Sequence, residues 1–153
     1  LVDFHQMMER LVKMEDSQYS YLNTLVASNS EGIITGILVA YDGARLKELR
    51  RQFIKEAIVS FGIDYSAMDA ETEAGEFYLD SLAVSSSFRG KGIAKQLLAA
   101  AIEKARELGI PKVGLLVDKG NPRAEKLYTK VGFEYVNDTV WGGHGMRHLQ
   151  YTI

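Results

Sequence analysis

Residues 77–95, FYLDSLAVSSSFRGKGIAK, combine a largely apolar segment, a turn with two glycines and two cationic side chains, and the start of a regular helix. Apolar residues recur at a spacing of three or four from Ile93 to Leu108, which predicts that helix. Free N–H groups at a helix start bind anions, and glycines let the backbone approach a phosphate closely. Together with the charges of Arg89 and Lys91, this strand–turn–helix unit predicts a cradle for a pyrophosphate.

Two commoner phosphate-binding motifs do not match this segment. A P-loop requires G-x-x-x-x-G-K-[ST], which the turn around Gly90 and Gly92 does not provide. The Rossmann fingerprint requires a third glycine or alanine at the position that Lys95 occupies. A plain helix start with two permissive glycines remains the structural alternative.

The rest of the chain alternates between helical and strand patterns. Helices are predicted near residues 1–14, 46–61, 93–108 and 121–131, and strands near residues 21–27, 33–40, 77–84, 113–117, 133–137 and 146–153. Gly109 and Gly132 are expected to end two helices, and Asn121-Pro122 to begin one. A glycine-rich turn is expected at residues 141–145. The order favours a mixed α/β sheet in one domain, residues 1–153.

Composition excludes several classes of protein. The chain has 153 residues, of which 46% are hydrophobic and 25% charged, with a net charge of −2 and no cysteine. Disulfides, thiolate zinc sites and a cysteine nucleophile are therefore excluded, and the ordinary apolar content argues against disorder. The near-neutral charge predicts no nucleic-acid partner, and no apolar run approaches the roughly 20 residues that span a bilayer. No secretory signal is visible, so we expect a soluble, cytoplasmic protein.

The two motifs on either side of the central helix resemble one family. Arg89-Gly-Lys-Gly92-Ile-Ala94 matches the Q/R-x-x-G-x-G/A acyl-CoA signature of the GNAT N-acetyltransferases. Residues 121–133, NPRAEKLYTKVGF, are similar to that family's N-x-x-A-x-x-L-Y-x-x-x-G-F segment. Both motifs occur in the family's order and in the expected structural context, and the resemblance covers about residues 20–153.

The resemblance implies a GNAT-like α/β (α+β) fold, a mixed and mostly antiparallel sheet with a V-shaped split, flanked by helices. It also implies transfer of an acetyl group from acetyl-CoA to a primary amine in a ternary complex, with CoA as product. The cofactor's pantetheine arm would bond to strand backbone, its pyrophosphate would lie on the amides of the helix start, and Asn121 would contact its arm. The implied cofactor-binding residues are Leu82, Ala83, Val84, Arg89, Gly90, Lys91, Gly92, Ile93, Ala94, Lys95, Asn121, Ala124 and Tyr128.

Two residues are candidates for proton transfer. Tyr128 matches the position that faces the cofactor sulfur in the family, and a phenol can protonate a departing thiolate; core packing is its alternative role. Asp80 lies in an apolar strand, where a carboxylate is uncommon unless it is paired or functional. Alternation places it on one face with Tyr78 and Leu82, and we interpret it equally as the general base or as a buried hydrogen-bond acceptor.

Several features of the sequence concern the part of the site that would bind the amine, and they do not identify the amine. Compared with the family, the chain is expected to lack a first strand and helix and to carry an extra helix near residues 44–60. We interpret the acidic residues of segment 64–76 as a solvated loop. His144 and His148 are unsuited to a metal because the glycines on both sides of His144 disfavour a helix. A homodimer is possible in this family. The alternative functions are a non-catalytic acyl-CoA-binding module and a general phosphate- or nucleotide-binding domain.

Overall fold

The computed structural model describes residues 2–153 and contains one six-stranded sheet with four helices. The helices are α1 (Val2–Lys13), α2 (Leu46–Phe61), α3 (Ile93–Leu108) and α4 (Pro122–Val131); the strands are β1 (Thr24–Ser28), β2 (Ile34–Asp42), β3 (Glu76–Val84), β4 (Lys112–Asp118), β5 (Glu134–Trp141) and β6 (His144–Thr152). Short 3₁₀ turns occupy Tyr21–Asn23, Gly43–Arg45 and Ser86–Phe88. The element order agrees with the sequence prediction. No helix within residues 2–153 is long and apolar enough to cross a membrane.

The sheet opens between its two central strands. Its order is β1-β2-β3-β4-β6-β5, and every neighbouring pair is antiparallel except β3 and β4. Those two are parallel because α3 returns the chain between them. They pair over only three positions, the last being Tyr78 with Gly114, so their carboxyl ends diverge. This confirms the predicted mixed, mostly antiparallel sheet with a split, flanked by helices.

Each face of the sheet has its own apolar cluster. The larger cluster packs α3 and α4 against one face and includes Leu38, Leu98 and Leu149, all fully buried. On the other face, Leu46 and Leu49 of α2 pack on two tyrosines, Tyr41 and Tyr78. Helix α1 packs against α2 through Met7, Leu11 and Ala57. The split between β3 and β4 therefore opens between two faces of the sheet that have different coverings.

The helix ends follow from local chemistry. Gly109 and Gly132 adopt left-handed conformations, with φ of 71° and 119°, and end α3 and α4 as the sequence predicts. The side-chain oxygen of Asn121 accepts a hydrogen bond from the amide of Ala124 at 3.2 Å, and Pro122 occupies the first turn of α4.

The closing hairpin differs from its prediction. Strand β5 continues to Trp141 rather than ending at Asn137, and β6 begins at His144, so the predicted turn over residues 141–145 was too long. Gly142 and Gly143 both have positive φ, 60° and 79°, as a tight two-residue hairpin turn requires. Because these glycines reverse the chain within two residues, the polar segment 137–141 can pair with β6.

Candidate active site

A cleft of about 750 Å³ lies where β3 leaves β4, between the starts of α3 and α4. All the residues predicted to bind the cofactor line this cleft except Lys91. The residues of the prediction that line it are Leu82, Ala83, Val84, Arg89, Gly90, Gly92, Ile93, Ala94, Lys95, Asn121, Ala124 and Tyr128; Phe88, Arg123 and Leu127 also line it and were not predicted. The cleft thus joins the two sequence motifs, which are separated along the chain by α3 and β4.

The start of α3 is an exposed set of hydrogen-bond donors. Gly92 is its N-cap, with φ of 79°, and no side chain caps the helix. The amides of Ile93, Ala94 and Lys95 therefore have no partner within the helix. Gly90 also has positive φ, 76°, and a Cβ added at either glycine would have no heavy atom within 4 Å. With Arg89, Lys95 and Arg123 around it, this helix start fits a pyrophosphate group.

Lys91 has a different environment from the one predicted. Its ammonium nitrogen lies 5.3 Å from the centre of the Phe88 ring, in cation–π contact. Phe88 lines the cleft, whereas Lys91 is exposed and contacts Phe88 without lining the cleft itself. Arg89 is fixed by a hydrogen bond of 3.3 Å from its Nε to the carbonyl oxygen of Val84.

The backbone of β3 beyond Tyr78 provides a second surface that could bind part of a cofactor. On one side it pairs with β2 as far as Val84, while on the side towards β4 its pairing ends at Tyr78. Apart from the Val84 carbonyl oxygen, which accepts the hydrogen bond from Arg89, the backbone groups of Leu82–Val84 that point towards β4 are therefore free to bond an extended ligand that carries amides, as an added strand would. A cofactor with an amide-bearing arm and a pyrophosphate fits these two surfaces.

Tyr128 lies at the wall of the cleft. Its ring packs edge-on against Phe133, with the ring centres 6.1 Å apart. Burial raises the pKa of the Tyr128 phenol above its ordinary value, so the hydroxyl keeps its proton at neutral pH. The residue can therefore donate a proton into the cleft while it also packs on the core.

A β-bulge sets the position of Asp80. Val39 pairs with Ser81 and Ala40 pairs with Leu79, so Asp80 is an extra residue without a partner in β2. The bulge reverses the alternation, and Leu82 lies on the face of Leu79, where it packs on the α3 core. The prediction that Asp80 shares a face with Leu82 was therefore wrong.

Asp80 points to the face that α2 covers, where several side chains donate to it. Its Oδ2 accepts a hydrogen bond from the hydroxyl of Tyr41 at 2.7 Å and another from Nε2 of Gln18 at 3.2 Å. Its Oδ1 accepts one from the hydroxyl of Ser81 at 3.0 Å. Burial raises the pKa of Tyr41, and the negative charges of Asp80 and Glu71 raise it further. This face is therefore polar and negatively charged beneath its two tyrosine rings.

Two carboxylates of the acidic segment are buried rather than solvated. Glu71 pairs with Arg50 at 3.0 Å and accepts a hydrogen bond from the hydroxyl of Tyr78 at 2.9 Å. Burial raises the pKa of Glu71, as does the charge of Asp80, against the opposing effect of its bonds to Arg50 and Tyr78. Glu76 is 3% exposed. The interpretation of segment 64–76 as a solvated loop was wrong for these two residues, because distant donors on α2 and β6 compensate their charges.

Glu76 connects β3 to β6 beneath β4. It accepts hydrogen bonds from Thr72 at 2.7 Å and Gln150 at 2.7 Å, and its Oε2 lies 2.6 Å from Nε2 of His148. Burial raises the pKa of Glu76, but these three hydrogen bonds outweigh it and hold the pKa below its ordinary value. A Cβ on Gly114 would lie 1.9 Å from the Glu76 carboxylate, so only glycine leaves room for it.

The histidines do not form a common site. His148 contacts Glu76, whereas the side chain of His144 is 74% exposed. Within residues 2–153 no cluster of three or more histidine or acidic side chains is arranged to hold a metal ion.

Sequence reasoning missed the donors that surround the carboxylates, namely Gln18, Tyr41, Arg50 and His148. Gln18 and Asp80 are 62 positions apart, and Glu76 and His148 are 72 apart. No local pattern marks such partners.

The comparisons with known proteins agree with this geometry. The model of the acetyltransferase (GNAT) family matches residues 53–133, which contain both motifs and every residue that lines the cleft. The chain belongs to the GNAT family. GNAT enzymes use acetyl-CoA, and the protein is an acetyl-CoA-dependent N-acetyltransferase.

Individual relatives support the same assignment for this GNAT protein. It is 33% identical over 113 residues to an acetyltransferase of Agrobacterium fabrum, a match that covers 73% of this chain and 81% of the relative. It is 34% identical over 101 residues to a ribosomal protein bS18-alanine N-acetyltransferase of Haemophilus ducreyi, covering 66% of this chain and 65% of the relative. It therefore spans about four fifths of the first and just under two thirds of the second.

A solved structure confirms the fold of this GNAT protein. The crystal structure of an acetyltransferase superposes on it with a TM-score of 0.81 at 30% identity, covering 97% of this chain and 79% of the other.

Proposed function

We propose that this GNAT protein transfers the acetyl group to a primary amine by direct attack, with both substrates bound together. The observation that carries the proposal is the opening between β3 and β4, which has the cleft on one face and Asp80 on the other. An acyl donor in the cleft and an amine near Asp80 would approach each other through this opening. No intermediate attached to the protein is needed.

The proposed cofactor site uses the residues that line the cleft. The amides and cations at the start of α3 would hold the pyrophosphate, and the free edge of β3 would hold the amide-bearing arm. Acetyl-CoA supplies an acetyl thioester, whose carbonyl carbon forms the new bond to nitrogen while the bond to sulfur breaks. Asn121 and Ala124 would border the arm at the start of α4.

Two proton transfers by the protein's own residues complete the reaction. A protonated amine must lose a proton before it can attack, and Asp80 would accept that proton. The Tyr128 hydroxyl would give a proton to the departing sulfur, because its raised pKa keeps it protonated until a thiolate forms beside it. Tyr128 and Asp80 would act from opposite faces of the sheet, so the proton donor and the proton acceptor would not contact each other.

The test is amine-dependent release of free thiol from acetyl-CoA, with the acetylated product identified by mass spectrometry. The panel contains small alkylamines, a polyamine, a lysine peptide and a peptide that begins with alanine, as the name of the Haemophilus relative suggests. Tertiary amines of matched size serve as controls, because they cannot form a stable amide. Turnover of at least one primary amine supports the proposal. Acetyl-CoA binding without turnover of any amine would favour the non-catalytic module instead.

Homodimer formation and a cytoplasmic location remain predictions from the sequence.

A further inference from the structure

A second cavity, of about 320 Å³, lies on the face of the sheet that α3 covers, at the far end of that helix from the cleft. Small-molecule sites in proteins have volumes of roughly 300–1,000 Å³. Leu108, the last residue of α3, lines this cavity, whereas Ile93, the first, lines the cleft. The 16 residues of α3 span about 24 Å, so the second cavity is a separate place in the molecule.

The second cavity is also separate from Asp80. Ala40 and Phe77 line it and belong to the apolar cluster beneath α3, whereas Asp80 points to the face that α2 covers. The hydroxyl of Tyr41 bonds to Asp80 on that opposite face, so Tyr41 reaches the second cavity from its backbone side. Neither side of the proposed acetyl transfer therefore includes this cavity.

Apolar side chains line the second cavity from the core to the surface. Phe77 and Ile110 are buried and form its inner end. Leu22 and Leu108 line it as well, although they are 61% and 53% exposed, so they form its mouth. A ligand with an apolar side chain would remove its own surface and that of the two leucines from water together, which is favourable.

An open stretch of the β2 backbone borders the second cavity. Strand β1 pairs with β2 only as far as Val39, whereas β3 pairs with β2 as far as Asp42. Ala40 and Tyr41, which line the cavity, therefore have a strand on one side only. Successive residues of an antiparallel strand direct their backbone groups to opposite sides, so one of these two residues points its N–H and C=O away from β3. Within residues 2–153, no backbone group outside the strands bonds to either residue, and a ligand that carries an amide can pair there.

The charges that line the second cavity favour an anion. Arg45 and Lys104 provide two positive charges against one negative charge, that of Asp42. Oδ1 of Asp42 accepts a hydrogen bond of 2.9 Å from the amide of Ala44, so this carboxylate is directed to its own turn. Arg45 is paired with Glu48 at 3.3 Å, whereas Lys104 takes part in no ion pair among the residues that the structure describes. The ammonium group of Lys104 is therefore available to a negatively charged ligand.

We propose that the second cavity binds a small carboxylate that carries one amide and one apolar side chain, the chemistry of an N-acylated amino acid. The apolar walls match the side chain, the open backbone of β2 matches the amide, and Lys104 with Arg45 matches the carboxylate. A peptide C-terminus carries the same groups, and the experiment below separates it from the free small molecule. This inference goes beyond the proposed acetyl transfer and does not depend on it.

The experiment is a titration of the isotope-labelled protein, followed by two-dimensional amide NMR, with N-acetyl-L-leucine as the probe. The amide signals of Ala40, Leu108 and Ile110 should move, while those of Gly92 and Ile93 at the cleft should not. N-acetyl-L-leucinamide has the same side chain and no charge, and it should bind about fivefold more weakly, the effect of an exposed ion pair. Isocaproate, which lacks the amide, and N-acetylglycine, which lacks the apolar side chain, should also bind more weakly.

A charge reversal at Lys104 tests the role of its ammonium group. Lys104 is exposed, so Lys104→Glu is compatible with the fold. This variant should lose the preference for N-acetyl-L-leucine over N-acetyl-L-leucinamide. Lys55→Glu is the matched control and should keep the preference, because Lys55 is an exposed lysine of α2 that does not line the second cavity.

Four results would overturn the proposal. The first is that no amide signal moves at millimolar probe, or that the signals that move belong to the cleft or to the surroundings of Asp80. The second is equal binding of N-acetyl-L-leucine and its neutral amide by the wild type, and the third is a preference that survives in Lys104→Glu. The fourth is tighter binding of an alanyl-alanyl-leucine peptide at the same amides, which would assign the cavity to a peptide C-terminus instead. None of these measurements requires turnover, so failure of this proposal and failure of the proposed function are distinguishable.

Discussion

Tyr128 and Asp80 lie on opposite faces of the sheet and would have different roles in the proposed reaction. Tyr128 lies at the cleft wall, and its raised pKa keeps the hydroxyl protonated. Asp80 receives three hydrogen bonds, from Tyr41, Gln18 and Ser81, which fix the orientation of its carboxyl group. In the proposed reaction, the Tyr128 hydroxyl donates a proton and the Asp80 carboxylate accepts one.

We expect Tyr128→Phe to lower kcat by about 100-fold, the lower end of the contribution of a general acid. The Kd for acetyl-CoA should stay within about twofold, because the ring that lines the cleft is retained. Tyr151→Phe is the matched control, since Tyr151 also packs on Phe133 but does not line the cleft. Steady-state kinetics and calorimetric titration measure the two quantities. A wild-type kcat in Tyr128→Phe would reduce this residue to a packing role.

We expect Asp80→Asn to slow acetylation at neutral pH. The acetylation rate of the variant should recover as the pH rises. Without the carboxylate, only the fraction of amine already neutral in solution can react, and that fraction grows about tenfold per pH unit below the pKa of the amine. The measurement is kcat/KM for the amine against pH in both proteins. A variant whose profile runs parallel to that of the wild type would remove Asp80 from the mechanism.

Glu76 links stability to pH. The folded protein holds its pKa below the ordinary value of about 4.3, so its contribution is fully present above that pH and is lost as the pH falls through the lower folded pKa. Glu76→Gln should lower the free energy of unfolding at pH 7 by roughly 1–3 kcal/mol, since it leaves buried donors unpaired. Urea denaturation above and below pH ~4 should show this deficit shrinking in acid.

Glu73→Gln is the control for Glu76, because it removes an exposed carboxylate from the same segment. If Glu76→Gln lowers the free energy of unfolding equally at acid and neutral pH, the three donors around Glu76 do not act by stabilising its negative charge. That result would contradict the prediction.

Among the elements, the start of α3 carries the cofactor proposal. We expect Gly92→Glu to abolish binding of acetyl-CoA, because it places a side chain and a negative charge where the free amides point. Gly109→Glu is the matched control at the other end of the same helix, where φ is also left-handed at 71° and the strain of about 1–2 kcal/mol is similar. Titration calorimetry compares them, and unchanged affinity in Gly92→Glu would place the pyrophosphate elsewhere.

Element boundaries were predictable where one residue type sets them. The glycines that end α3 and α4 and the Asn121-Pro122 pair act through their own backbone preferences, which a sequence displays directly. The bulge at Asp80 was not predictable, because it depends on how β2 and β3 align rather than on any glycine or proline within β3. For this reason, the sequence prediction placed Leu82 on the wrong face of the sheet.

At the scale of the whole molecule, the two sides of the candidate site differ in how far apart their residues lie in the sequence. The cofactor side was predictable because two continuous motifs supply most of its lining residues. The acceptor side combines Gln18, Arg50, Asp80 and His148, which come from four separate parts of the chain. Burial and pairing of such residues depend on the tertiary fold, so the sequence indicated Asp80 but none of its donors.

The most direct test of the whole account is the melting temperature of the purified protein with acetyl-CoA, and with ATP as the control nucleotide. At about 100 times its Kd, a ligand adds roughly 2.7 kcal/mol to the free energy of unfolding, an increase of several degrees for a chain of this size. The account predicts this increase with acetyl-CoA and none with ATP. An equal increase with ATP, or none with acetyl-CoA, would contradict the assignment of the cleft between the starts of α3 and α4 as the acyl-donor site.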